Sequence, residues 1–278
     1  QDVVTFTGSA STGRKLKAHP RIIEESIRFN MEADSLNFSM LGPDAAPGTE
    51  EFDLFVKEVS REMTLKAGQR CTAIRRTFVP EPMVAEVLKA IGKRLAGATL
   101  GDPAVEGVRM GPLASKGQVA EVRKNVETLL GVATVAHGDF DDFAVTGADR
   151  AKGAFFPAML LHCADPFGQS AVHDIEAFGP VNTVMGYREL ADAIELAKRG
   201  KGSLCGSLFT ADDQVAREVV LGTAAVKSPA FVEEVCRAHP DKVIIAVDAR
   251  DGIVAVDGWT TSGGITAIEL GQRAESWG

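Results

Sequence analysis

The chain has 278 residues, 45% of them hydrophobic and 24% charged, with a formal net charge of −8 at pH 7. That composition fits one or two globular domains with a sizeable core. The acidic balance argues against a nucleic-acid partner, whose phosphates call for clustered Lys and Arg, and no apolar run approaches the roughly 20 residues of a membrane span. The opening Gln1-Asp2-Val3-Val4 has no Met and no basic leader, and it reads like the interior of a domain, so N-terminal truncation is expected. The cysteines Cys71, Cys163, Cys205 and Cys236 lie far apart without Cys-x-x-Cys spacing. This predicts no metal site and suits a reducing cytoplasm.

In chain order, residues 3–7 form a β-branched run that predicts a buried strand. A glycine- and serine-rich turn over 8–13 leads into a helix from Arg14. Short strands are expected at 27–29 and 36–41. Over 50–65, Phe52, Phe55, Val56, Val59 and Met63 fall on one helical face. A strand at 77–79 stops at Pro80 and Pro82, and amphipathic helices follow at 83–95 and 117–130. Strands at 155–161, 181–185 and 204–209 alternate with helices at 190–198 and 213–220. This alternation predicts an α/β fold with a largely parallel sheet. Beyond Gly222 the rhythm continues: strands at 219–225 and 243–247, a helix from Ser228 to Cys236, an extended piece at 254–256 and a helix over 265–274.

Two features carry chemistry. Cys71 sits in Lys66-Ala67-Gly68-Gln69-Arg70-Cys71-Thr72, with Arg75 and Arg76 just beyond, and positive potential there would favour the nucleophilic thiolate. Glu32, 39 residues earlier, supplies a carboxylate able to activate water, which would complete a covalent acyl-transfer cycle. The turn from Gly8 to Gly13 follows a strand and opens a helix, an arrangement that holds phosphate. It lacks the Gly-x-Gly-x-x-Gly spacing and the P-loop lysine, and read alone it is an ordinary connection. Cys163, Cys205 and Cys236 lie in apolar runs and read as core thiols.

Five segments extend these signals: Phe6-Thr7-Gly8-Ser9-x-x-Thr12-Gly13, Met31-Glu32-Ala33, Gly68-Gln69-Arg70-Cys71, the pair Gly101-Asp102-Pro103 and Gly111-Pro112-Leu113, and Glu176-Ala177-Phe178-Gly179-Pro180. In this order they resemble the aldehyde dehydrogenase superfamily over roughly residues 1–224. Met31-Glu32-Ala33-Asp34-Ser35-Leu36-Asn37 and Gly200-Lys201-Gly202-Ser203-Leu204 narrow the resemblance to the aldehyde dehydrogenase part of the bifunctional ring-opening enzymes of phenylacetate degradation. The resemblance implies NADP (or NAD) as cofactor and a small-molecule aldehyde, CoA-linked in that family, as partner; it leaves a homo-oligomer open. It implies Cys71 as nucleophile, its N–H as an oxyanion donor and Glu32 as general base. Gly8, Ser9 and Gly13 would hold the pyrophosphate, Glu176 the nicotinamide ribose, and Phe178 would pack beside the ring. The family's earlier coenzyme-domain strands, with a ribose-binding lysine and a second oxyanion donor, have no counterpart in these residues.

The last fifth differs. Leu221-Gly222-Thr223-Ala224-Ala225-Val226-Lys227-Ser228-Pro229, Val247-Asp248-Ala249-Arg250-Asp251-Gly252 and Gly258-Trp259 resemble the histidine-biosynthesis isomerase that acts on ProFAR, a (β/α)₈ barrel. On that resemblance Asp248 would be a general acid, Gly222 and Thr223 a strand-end ligand position, and Trp259 a stacking residue. The expected organisation is a chimera. Residues 1–32 would be a truncated Rossmann-like coenzyme domain, 33–221 an aldehyde dehydrogenase-like catalytic domain and 222–278 a short barrel-derived (β/α) segment. With about two βα units a barrel cannot close, so isomerisation is the alternative function, beside that of an inactive fusion fragment.

Overall fold

The computed structural model describes residues 2–219, 233, 237, 249–250, 253–256 and 261–277. The chain divides into two compact units, Gln1–Ala211 and Asp212–Gly278.

In the first unit, β1 (Val3–Gly8) and β2 (Arg28–Ala33) form a two-stranded parallel sheet that sets Thr7 opposite Glu32. Between them run α1 (Ala10–Lys17) and the short α2 (Pro20–Glu24). Helix α1 starts four residues before the expected Arg14, because Ser9 caps it, its side chain accepting from the Thr12 N–H. Helix α2 was not legible in advance: His19 caps it and Pro20 opens it, yet it buries no residue.

The main sheet contains β3 (Phe38–Leu41), β4 (Arg76–Pro80), β5 (Thr134–His137), β6 (Met159–Cys163), β7 (Val181–Tyr187) and β8 (Gly206–Phe209). Its spatial order is β5-β6-β7-β4-β3-β8. All neighbours are parallel except β5 against β6. Every residue of β4 is buried, as central parallel strands covered on both faces require. Helices α3 (Glu50–Thr64) and α4 (Val84–Ala96) pack on each other and on the sheet, and α7 (Leu190–Lys198) packs on β4 and β7. α3 buries Phe52, Phe55, Val56, Val59 and Met63, the face its periodicity predicts. Helix α5 (Lys116–Leu129) and the short α6 (Ala171–Asp174) complete the first unit's series, and α8 (Asp213–Val219) belongs to the second unit.

The parallel α/β reading therefore holds, with boundary changes. The strand expected over 155–161 forms at Met159–Cys163, preceded by a buried but irregular Phe155-Phe156. Those expected over 36–41 and 204–209 begin at Phe38 and Gly206. Edge strand β5 has no counterpart among the expected strands: three of its four residues are exposed, so it shows no alternation.

In the second unit, β9 (Ala249–Arg250), β10 (Ile253–Val256) and β11 (Thr261–Thr266) form an antiparallel sheet, followed by α9 (Ala267–Trp277). Within it Arg250 pairs with Ile253 and Ala249 with Val254. The strand at 243–247 lies outside the described residues, as does nearly all of the strand at 219–225 and of the helix at 228–236. So do Asp248, Gly222, Thr223, Trp259 and Cys236.

Candidate active site

A cavity of ≈ 480 Å³ opens in the first unit where the end of β1 meets the loop after α3. Its walls include Gly8, Ser9 and Arg14 from the α1 end, and Glu32, Asp34 and Ser35 from the β2 end. Cys71, Glu176 and Phe178 close the opposite side. The structure thus gathers Cys71, Glu32, Ser9, Gly8, Glu176 and Phe178, which are spread over 171 positions of sequence. Gly13 is not at the cavity: it is buried in α1, where a Cβ would come within 2.4 Å of Met31 Sδ, so its role is packing α1 onto β2.

Cys71 is exposed, in the turn that follows a 3₁₀ segment at Leu65–Gly68. The backbone there is unusual, with positive φ at Lys66, Ala67 and Gly68. Gly68 is required: a Cβ would lie 2.2 Å from the Gly179 carbonyl oxygen. The loop is pinned by Asn37, just before β3, whose amide donates to the carbonyls of Cys71 at 2.7 Å and Ala73 at 3.0 Å. The Asn37 oxygen accepts from Ser35 Oγ and from the N–H groups of Leu204 and Cys205. Buried Asn37 is therefore a hub joining the nucleophile loop, the β2–β3 connection and the segment before β8. Its one sequence signal was an amide within the apolar run Leu36-Asn37-Phe38.

The cationic neighbourhood expected around Cys71 is largely spent on other partners. Arg70 pairs with Glu62 at 2.5 Å. Arg75 pairs with Glu176 at 3.1 Å, with only 3% and 6% of the two side chains exposed. Arg76 is fully buried and donates to the Leu36, Leu196 and Ala197 carbonyls and to His173 Nδ1. Two of those carbonyls end α7, where the helix dipole favours a cation, while burial pulls the Arg76 pKa down to about 10. Proximity in sequence alone does not assign these charges to Cys71, because each guanidinium is engaged by a carboxylate or by backbone carbonyls.

Cys205 is exposed, not the core thiol its apolar run predicts, and its thiol donates to the Thr72 carbonyl at 3.5 Å. Burial of its sulfur, with negative charge at Glu62, raises its pKa. Cys163 is buried as expected, and burial likewise raises its pKa.

Glu176 is held on both oxygens, Oε1 by Arg75 and Oε2 by the Ser35 N–H at 3.1 Å. Desolvation raises its pKa, opposed by Arg75 and by the Ser35 N–H. Asn125 donates to the Glu176 carbonyl and Gln118 to that of Phe178, so α5 fixes this loop from outside. At the other end, the Asp34 carboxylate accepts the Ala10 N–H at 3.0 Å, and Asp34 adopts φ 45° to reach it. Among the described residues no cluster of His, Cys, Asp and Glu could hold a metal ion, and no helix is long and apolar enough to cross a membrane.

The aldehyde dehydrogenase family model matches residues 1–230, and a histidine biosynthesis protein model matches residues 207–278. A 3,4-dehydroadipyl-CoA semialdehyde dehydrogenase of Aromatoleum evansii is 46% identical over 223 residues, 80% of this chain and 43% of that protein. An imidazole-4-carboxamide isomerase of Afipia carboxidovorans, acting on phosphoribosyl compounds by its name, is 51% identical over 67 residues, 24% of this chain and 27% of that protein. Among solved structures, Staphylococcus aureus betaine aldehyde dehydrogenase in complex with NAD+ superposes with a TM-score of 0.67 at 26% identity, over 78% of this chain and 41% of that one. The Escherichia coli lactaldehyde dehydrogenase gives a TM-score of 0.64 at 26% identity, covering 78% and 43%. The chain spans less than half the length of these dehydrogenases.

Proposed function

Because the chain belongs to the aldehyde dehydrogenase family, we propose that it oxidises an aldehyde to a carboxylic acid through a thioester on Cys71, with a nicotinamide coenzyme. The observation carrying this reading is the one cavity shared by Cys71, Glu32 and Glu176. The lining fits the nicotinamide half of the coenzyme. Gly8 and Ser9 present the capped N-terminus of α1 to a pyrophosphate, Glu176 offers carboxylate oxygens to ribose hydroxyls, and the Phe178 ring supplies an apolar wall. The family resemblance favours NADP, with NAD as the alternative.

In this reading the Cys71 thiolate adds to the aldehyde carbon, forming a C–S bond. The resulting oxyanion meets the Cys71 N–H, which has no backbone acceptor among the described residues; such donors are worth about 10²–10³ in rate. A bound coenzyme supplies the hydride acceptor. Glu32 then takes a proton from water as its oxygen adds to the thioester carbonyl, the C–S bond breaks, and the acid leaves with the thiolate restored.

The substrate class we propose is a CoA-linked semialdehyde, supported by the name of the Aromatoleum relative and by the Met31–Asn37 motif; the phenylacetate pathway follows from the family resemblance, and a cytoplasmic setting from the acidic composition and the widely spaced cysteines. We assign residues 1–32 to a coenzyme-domain remnant, 33–221 to the catalytic domain and 222–278 to a barrel-derived segment, the last supported by the histidine biosynthesis match.

Brief iodoacetamide labelling near neutral pH, resolved by cysteine with mass spectrometry, tests the proposal. Cys71 should react fastest, its rate should change on adding NADP or NAD, and aldehyde-dependent coenzyme reduction should fall by roughly 10³-fold or more in Cys71→Ala. Equal labelling of all four cysteines, with no coenzyme effect, would overturn it.

A further inference from the structure

We infer that Arg75 is a positioning residue that sets the nucleophile loop in register with the Glu176–Gly179 loop and keeps the Glu176 carboxylate ready for a ligand hydroxyl. The inference rests on the coenzyme reading of Glu176, but its geometry is independent of it.

Arg75 directly precedes β4 and is nearly excluded from solvent. Its guanidinium divides its donors between two loops. Nε donates to Glu176 Oε1 at 3.1 Å and Nη1 to the Gly179 carbonyl at 2.7 Å. Nη2 donates to the Gly68 carbonyl at 2.7 Å and, more weakly, to that of Arg70 at 3.4 Å. The cation also stands 5.3 Å from the centre of the Phe178 ring, a favourable position for a guanidinium. Both loops thus meet at one rigid fork, and they touch where Gly68 faces Gly179. A planar five-donor group can hold this arrangement; an ammonium cannot reach all the acceptors at once.

The charge matters as much as the fork. Glu176 faces Arg75, the Ser35 N–H and the Asp34 carboxylate, and Glu62 of α3 acts on Arg75 from behind. Burial and Asp34 push the Glu176 pKa up, while Arg75 and Ser35 hold it down. A carboxylate must be ionised to accept from two hydroxyls, so coenzyme binding weakens as pH falls through the Glu176 pKa. Without Arg75 that loss begins at higher pH.

The test compares wild type, Arg75→Lys and Arg75→Gln by NADPH and NADH fluorescence titration from pH 5 to 9 and by the rate of Cys71 alkylation. In Arg75→Gln the acid limb of coenzyme binding should move up by about one pH unit, and it should stay in place in Arg75→Lys, which keeps the charge. Alkylation should slow by about threefold in Lys and about tenfold in Gln, since small displacements of a reacting group carry large rate penalties. If Arg75→Gln does not fold, Arg75→Lys with an unchanged melting curve carries the alkylation comparison. Coenzyme bound by no form, wild type included, would overturn the coenzyme reading and leave alkylation to decide on Arg75. Acid limb and alkylation rate both unchanged in the variants would overturn the role given to Arg75.

Discussion

Arg76 and His173 show how little a residue's type says without its partners. Arg76 donates to His173 Nδ1, so that nitrogen must be the acceptor and Nε2 must carry the proton it gives to the Pro166 carbonyl at 2.8 Å. Burial lowers the His173 pKa, and the nearby charges of Arg76 and Arg199 act in the same sense. The unfolded chain, with an ordinary histidine, therefore takes up the proton first as pH falls. Stability should drop below about pH 6.5. Thermal melts between pH 7.5 and 5 should show a smaller acid loss in His173→Asn than in wild type; parallel curves would remove His173 as a source, since His137 and His162 remain in both. Asp34 makes the opposite kind of contact, a carboxylate on the first amide of α1. That charge competes with any phosphate there, so Asp34→Asn should tighten NADP or NAD binding by about two- to fivefold, read by the same fluorescence titration.

At the scale of elements, connections rather than helices and strands carry the site. The segment from Leu65 to Ala73 holds Cys71 only because Gly68 has φ 68° and no Cβ to strike Gly179. Gly68→Ala should cost more than about 2 kcal/mol and slow Cys71 alkylation, as urea unfolding and labelling would show. Helix α3, which leads into that loop, begins at Thr49, whose hydroxyl accepts the Phe52 N–H at 3.3 Å; Glu50, Glu51 and Asp53 complement the dipole in its first turn. Thr49→Ala should cost about 1 kcal/mol in unfolding free energy while leaving Cys71 labelling at the wild-type rate, which separates a helix cap from a loop constraint.

At the scale of the molecule, every residue lining the candidate site lies between Thr7 and Leu204, inside the first compact unit. A chain ended after residue 219 should keep the Cys71 labelling rate and its coenzyme response; loss of either would place the C-terminal segment in the site's support. The α/β class and most of the main sheet were legible because hydrophobic periodicity is local: β4, β7 and α3 each announce their buried faces within one window. Cys71, Glu32, Glu176, Ser9 and Phe178 were legible through motifs. Three matters were decided only in the tertiary structure. Arg70, Arg75 and Arg76 each spend their charge on partners that no spacing could pair with them: Glu62, Glu176 and the end of α7. Cys205 lies in an apolar run yet meets solvent, because it precedes an edge strand. Asn37 and Arg75 hold the nucleophile loop through contacts up to 168 positions away. Composition and periodicity determine which faces are buried, since those depend on neighbours three or four residues apart. Where a buried polar group finds its partner depends on which distant loops the packed sheet brings together, and only the assembled fold decides that.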